Sequence, residues 1–168
     1  MTEADKHFIE TCRKIINEGV SSEGTNVRTR WEDGAEANYI SIVGVCNKYD
    51  VGKEFPMITL RNNSKTVMRA IDEILWIWQK KSNNVKDLNS HIWDQWIDEN
   101  GTIGKAYGYQ LGKKYDFKTK EGIIKMDQVD YVLYLLKNDP ASRRIMTNIF
   151  NHEELKDMRL EPCAYGTQ

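Results

Sequence analysis

The 168-residue chain lacks the features that announce several whole classes of protein. Its cysteines are only three, Cys12, Cys46 and Cys163, odd in number, widely spaced and without a CxxC pair. That pattern argues against a disulfide framework and against a zinc site. Three histidines, His7, His91 and His152, show no metal-ligand spacing either, so no metal is expected. There is no excess of charge of one sign: 24 Lys and Arg face 25 Asp and Glu. A general nucleic-acid or membrane binder would carry a basic surplus. No apolar run approaches a membrane span, and the start, MTEADKHF, has no signal-peptide character. A soluble protein of the reducing cytoplasm is expected.

What is present is the material of one globular domain, expected over residues 1–168. Phe8, Ile9, Cys12, Ile15 and Ile16 form one stripe at helical spacing, with Gly19 as the stop. A polar loop follows, and then YISIVGVCN reads as a strand. Ser64 is expected to cap a long helix to about Lys80, with Val67, Ile71, Ile74, Leu75 and Trp78 as its buried stripe. A shorter helix is expected around Ile92, Trp93, Trp96 and Ile97. Gly101, Gly104, Gly108 and Gly112 mark an irregular region, where binding loops tend to lie. Asp127 to Lys137 reads as a helix ending before Pro140, and RRIMTNIF as a strand. Helices and strands are interspersed without regular alternation, which favours α+β over a doubly wound sheet.

Several residues could carry chemistry, each with a plainer alternative. Cys163, in LEPCAYGTQ, is a candidate nucleophile. Lowering a thiol pKa to about 7 makes roughly half of it thiolate, a gain of about tenfold. Its alternative is a small buried apolar residue. Arg143 and Arg144, at the irregular start of a strand, suit phosphate oxygens through forked, charge-assisted hydrogen bonds. Arg28, in the polar loop NVRTRW, could fold over an anion. For all three arginines the alternative is a solvated cation. Glu73 lies beside the apolar stripe, where a carboxylate can have a raised pKa and relay protons. Alternatively it faces water beside Asp72. Trp93, Asp94 and Trp96, followed by Tyr107 and Tyr109, read either as a stacking wall for a heterocycle or as an aromatic core.

In order along the chain stand RTRW, EFPMITLR, DEILWIWQ, SHIWDQW, GTIGKAYGYQLGKK, DQVDYVLYLLKNDPASRRIMTNIF and LEPCAYGTQ. From about Asn26 to the last residue this series resembles the bacterial thymidylate synthases. The resemblance implies an α+β fold whose mixed sheet packs back to back in a homodimer, helices outside. It implies reductive methylation of dUMP to dTMP, with 5,10-methylenetetrahydrofolate as carbon donor and reductant and no metal. By the same resemblance Cys163 attacks C6 of the uracil, and Glu73 and Tyr107 belong to the proton-transfer network. Trp93, Asp94 and Trp96 line the folate side, with Arg61 the candidate for the folate tail. Arg28 closes on the dUMP phosphate, and Arg143 with Arg144 reach that phosphate from the other subunit.

The chain departs from its relatives in three ways. Ala164 replaces the histidine that many of them have, and Arg61 to Arg69 forms a longer stretch than usual. The chain also stops five residues after Cys163. A truncated product with little or no turnover alone is therefore expected. Two other readings are a dCMP hydroxymethylase, which shares the scaffold and the cysteine, and an inactive or regulatory relative, including one that binds RNA.

Overall fold

A computed structural model describes residues 1–60 and 64–168. The folate-tail candidate Arg61 lies outside the described residues. Two compact units are formed, Met1–Asn63 and Ser64–Gln168.

The amino-terminal unit is built on α1, Glu3–Glu18. Thr2 caps it: its hydroxyl accepts from the Asp5 backbone N–H, while the Asp5 carboxylate accepts from the Thr2 N–H. This reciprocal pairing satisfies donors that a helix start otherwise leaves orphaned. The same carboxylate also accepts from the Thr59 N–H at 2.6 Å and the Thr59 hydroxyl at 2.7 Å. The Thr59 hydroxyl is the main reason the Asp5 pKa falls to about 2. The helix ends at Gly19, as the sequence predicts, and only glycine fits there. A Cβ there would stand 2.4 Å from both the Ile15 carbonyl oxygen and the Ile40 side chain.

Beyond Gly19, β1 (Val20–Ser21) pairs antiparallel with β2 (Ile40–Ser41). The strand expected over YISIVGVCN is thus reduced to two residues. A strand persists only where a neighbouring backbone answers its N–H and C=O groups. That neighbour spans Val20 and Ser21, and Val43 and Val45 lie exposed past it.

The carboxy-terminal unit opens with α2, Ser64–Ile74, which passes into a π-helical turn, Leu75–Gln79. Burial falls on the turn rather than on the expected stripe. The wider i→i+5 hydrogen bonds of the turn wind more residues per turn and shift the inward face. Trp76 and Ile77 are buried, whereas Ile71, Ile74 and Leu75, expected in the core, are exposed. Trp76, with no exposed surface, keeps its indole N–H satisfied by the Asn84 carbonyl at 2.9 Å.

Around these two residues the core gathers Leu88, Trp93, Ile103, Ala106, Tyr107, Leu111 and Ile149. Each large apolar side chain so enclosed contributes roughly 1.5–3 kcal/mol. The helix expected around Trp93 is a single 3-10 turn, Asp94–Trp96. The glycine-marked region contains a short helix, α3, over Gly108–Gly112. A hairpin that the sequence reading left unassigned follows: β3, Tyr115–Thr119, pairs with β4, Gly122–Met126.

Helix α4, Gln128–Asn138, is capped by Asp127, whose carboxylate accepts from the Asp130 N–H. Phe117 of the hairpin stacks on Tyr131 of α4, with centroids 3.9 Å apart and planes at 13°. Of the predicted strand RRIMTNIF, only β5, Thr147–Asn148, is formed, paired antiparallel with β6, Gly166–Thr167. Helices and short strands alternate irregularly, an α+β arrangement as expected. Among the described residues the ladders are three antiparallel pairs.

Candidate active site

The carboxy-terminal unit brings four of the predicted residues into one line of contact. Glu73, half-buried near the end of α2, accepts a hydrogen bond from the Trp93 indole N–H at 2.5 Å. Trp93 is buried and packs edge-on against Tyr107, with centroids 5.4 Å apart and planes at 66°. The Tyr107 hydroxyl oxygen in turn accepts from the Cys163 backbone N–H at 2.9 Å. Cys163 itself is exposed and forms no disulfide. Of the two readings of Trp93, its packing is that of the aromatic core. Its ring belongs to the aromatic core, beside Trp76 and Trp96. Its polar edge addresses the candidate proton relay.

Tyr107 occupies an unusual backbone conformation, φ +42° and ψ −102°. Such a conformation costs a side-chain-bearing residue about 1–3 kcal/mol and persists only where the surroundings over-determine it. The following residue shows what over-determines it. A Cβ on Gly108 would stand 2.1 Å from the Ser82 carbonyl oxygen and 2.7 Å from the Ser82 nitrogen. The main chain of α3 thus lies directly on the peptide of Ser82. Burial pushes the Tyr107 phenol above its ordinary pKa. Its oxygen already accepts from Cys163, so the neutral hydroxyl keeps a proton to donate.

On the folate-side candidates, Trp96 is half-buried and Asp94 exposed. The Asp94 carboxylate lies 2.9 Å from His91 Nδ1. Alongside runs a groove of about 560 Å³, bordered by Met68, Arg69, Asp72, His91 and Ile92.

The arginines stand apart from the thiol or in another unit. Arg143 and Arg144 are exposed, and among the described residues no carboxylate pairs with either. They border a shallow depression with Asp139, Ala141 and Ser142. The register Thr147↔Thr167 and Asn148↔Gly166 runs Cys163 toward one end of the β5–β6 ladder and the arginines toward the other. Arg28 is exposed in the amino-terminal unit, next to buried Val27.

The sequence reading missed a charged cluster beneath α3. Asp127, only 2% exposed, accepts from Lys81 and Lys114, each at 2.7 Å. Both ammonium groups also reach Asp130, at 2.9 and 3.1 Å. Burial alone would raise the Asp127 pKa, but the hydrogen bonds from Lys114 and Lys81 prevail and hold it well below the carboxylate range. The one readable signal was a cap-type residue at the head of the α4 pattern. Nothing in the spacing tied it to lysines 46 and 13 residues away.

The family model described as thymidylate synthase matches residues 6–168. Thymidylate synthase 1 of Bacillus subtilis (strain 168) is 49% identical over 173 aligned residues, covering all of this chain and 60% of that protein. The thymidylate synthase of Bacillus phage phi3T is 47% identical at the same coverage. Among solved structures, thermostable thymidylate synthase A from Bacillus subtilis superposes with a TM-score of 0.89 at 47% identity. That match takes in 99% of this chain and 59% of that one. The chain spans about 60% of the length of the relatives it matches. The family model and the structural match both run almost from end to end of this chain, which belongs to the thymidylate synthase family.

Proposed function

We propose that the protein of which these residues form part methylates dUMP to dTMP, using 5,10-methylenetetrahydrofolate and yielding dihydrofolate. The observation that carries this is the anchoring of the exposed Cys163 by the Tyr107 hydroxyl, in line with the Trp93–Glu73 pair. A nucleophile needs its main chain fixed and its sulfur reachable. The Tyr107 bond supports the first and the exposure of Cys163 the second.

In this mechanism the Cys163 thiolate forms a bond to C6 of the uracil ring. The ring electrons move onto C5 and the C4 carbonyl, and C5 becomes the carbon nucleophile. Folate, when bound, supplies the one-carbon unit and the hydride. Glu73 moves protons at the pyrimidine, and its attachment to the Trp93 indole N–H fixes one carboxylate oxygen while leaving the other free to act. The neutral Tyr107 hydroxyl donates into the same network. Loss of the C5 proton drives Cys163 from C6 as the thiolate, and the hydride reduces the carbon unit left on C5 to the methyl group.

The folate fits the residues on its proposed side. Half-buried Trp96 offers a flat apolar face beside Trp93, exposed Asp94 can orient a ring nitrogen, and the adjoining groove is open for the remainder. Arg61 is proposed for the tail of that ligand. Arg28, Arg143 and Arg144 are proposed to hold the dUMP phosphate. The position of the arginine pair beyond the opposite end of the β5–β6 ladder from Cys163 supports its delivery by a second subunit in a homodimer. The protein is proposed to work in the cytoplasm. Among the described residues no helix is long and apolar enough to cross a membrane.

Trapping tests the proposal. With 5-fluoro-dUMP and methylenetetrahydrofolate, the complete reading frame should form a covalent adduct that mass spectrometry places on Cys163. No adduct should form in Cys163→Ala. A failure of the unmodified protein to form any adduct would defeat the assignment.

A further inference from the structure

From the cluster beneath α3 we infer that Lys81 and Asp127 are positioning residues for Cys163, acting through Tyr107. The inference rests on the proposed role of Cys163 for its functional meaning, though not for its geometry.

The steps are physical contacts. Lys81 sits on a left-handed turn at φ +54°, one of two such residues other than glycine among those described; Tyr107 is the second. These two unusual backbones meet across α3. Gly108, next to Tyr107, lies on the Ser82 peptide, and a Cβ on Gly112 would come within 3.2 Å of the Lys81 Cβ. The turn at Lys81 is thus the floor on which α3 rests. Lys114, two residues beyond α3, holds the far end of that helix to the same Asp127 oxygen that Lys81 holds. A single carboxylate therefore ties the floor and the end of a five-residue helix that is too short to be stable alone. Asp127 is itself immobilised as the cap of α4. At the other end of α3 the strained Tyr107 presents its phenol to the Cys163 N–H. Loss of the Lys81 ammonium frees the turn, lets the Tyr107 backbone relax and releases the Cys163 main chain.

The test needs neither nucleotide nor folate. Iodoacetamide alkylation of Cys163 is followed by mass spectrometry, with exposed Cys46 in the same molecule as internal reference. Lys81→Met keeps the stem and removes the charge; Lys81→Arg keeps the charge. The Cys163-to-Cys46 rate ratio should change by about threefold or more in Lys81→Met, in the range of coupling between contacting groups. It should return close to the parent value in Lys81→Arg. The near-ultraviolet circular dichroism of the Trp93–Tyr107 pair should change in parallel. In a Tyr107→Phe background the Lys81→Met effect on the ratio should vanish, because the connecting hydrogen bond is gone. If Lys81→Met gives no folded protein, Lys114→Met, whose cation is half in water, takes its place in the same comparison. A lowered melting temperature with an unchanged ratio and spectrum would reduce the cluster to a structural role and overturn the inference. So would an effect that persists undiminished in the Tyr107→Phe background. A failed fluoronucleotide trap beside an intact Lys81 effect would sink the proposed function alone.

Discussion

The hydroxyl of Tyr107 receives the backbone N–H of Cys163 across 56 residues of sequence at 2.9 Å. This bond joins the centre of the core to the residue proposed to attack the pyrimidine. It also makes Tyr107→Phe informative, because the ring stays and only the oxygen leaves. The variant should lose about 1–2 kcal/mol, as for a partly buried N–H left without its acceptor. Urea unfolding would measure that loss. Fluoronucleotide adduct formation should slow by about tenfold while substrate binding changes little, since the group is proposed to act on the reacting centre.

Glu73→Gln separates structure from chemistry. A glutamine oxygen can still accept the Trp93 indole N–H, so the melting temperature should hardly move. Proton transfer should not survive so well. Release of tritium from C5-labelled dUMP should fall by about a hundredfold or more, the usual share of a positioned acid–base group. Equal loss of fold and activity would contradict the relay role.

Removing the Asp127 charge should be costly. Asp127→Asn leaves the two lysines with Asp130 and a neutral amide, and the loss should be roughly 3 kcal/mol, near the low end for a broken buried pair because both lysines keep that partner and some water. The pH dependence follows from the depressed pKa. Asp127 contributes in full above the ordinary aspartate value, about 3.9, and its contribution drains away as the pH falls below that toward its folded pKa. Urea midpoints at pH 7, 5 and 3 should show the parent losing stability in the acid range and Asp127→Asn losing distinctly less there.

Two glycines of α3 should respond unequally to alanine. At Gly108 the added carbon would collide with the Ser82 peptide, which cannot turn aside, and the variant should lose about 3 kcal/mol or fail to fold. At Gly112 the nearest atom is the Lys81 Cβ at 3.2 Å, a contact relieved by a shift of a few tenths of an ångström, and the loss should be smaller, about 1 kcal/mol. Thermal melts of both variants would rank them.

Sharing of arginines between subunits has a simple signature. An Arg143→Ala, Arg144→Ala double variant and a Cys163→Ala variant should each be unable to form the adduct. Mixed in equal amounts and allowed to exchange subunits, they should regain roughly a quarter of the parent sites, since half the dimers are hybrids and each has one intact site. No recovery, with exchange verified, would place the arginines in their own subunit's site.

The parts of the fold visible in the sequence were those decided locally. Helices α1 and α4 are readable because apolar spacing and a stop residue agree over 16 and 11 residues. Strands were over-read. Their existence depends on partners elsewhere in the chain, and β-branched residues such as Val43 and Val45 say nothing about whether a partner arrives. The aromatic and acidic candidates could be named from their motifs, yet the way they connect could not. That the Trp93 N–H addresses Glu73, or that Tyr107 adopts a left-handed backbone, follows from tertiary contacts such as Gly108 against Ser82. The Asp127 cluster escaped notice for the same reason, since each of its members is an ordinary charged residue until the chain folds.

The backbone at position 107 also limits what protein engineering can gain here. Glycine would relax the main chain there, but it would discard the ring that fills the core and the oxygen that holds Cys163. Every L-amino acid that kept an aromatic ring would inherit the same torsional penalty. Searches for thermostable variants should therefore find improvement almost anywhere in this unit before they find it at Tyr107, whose discomfort is the condition of its usefulness.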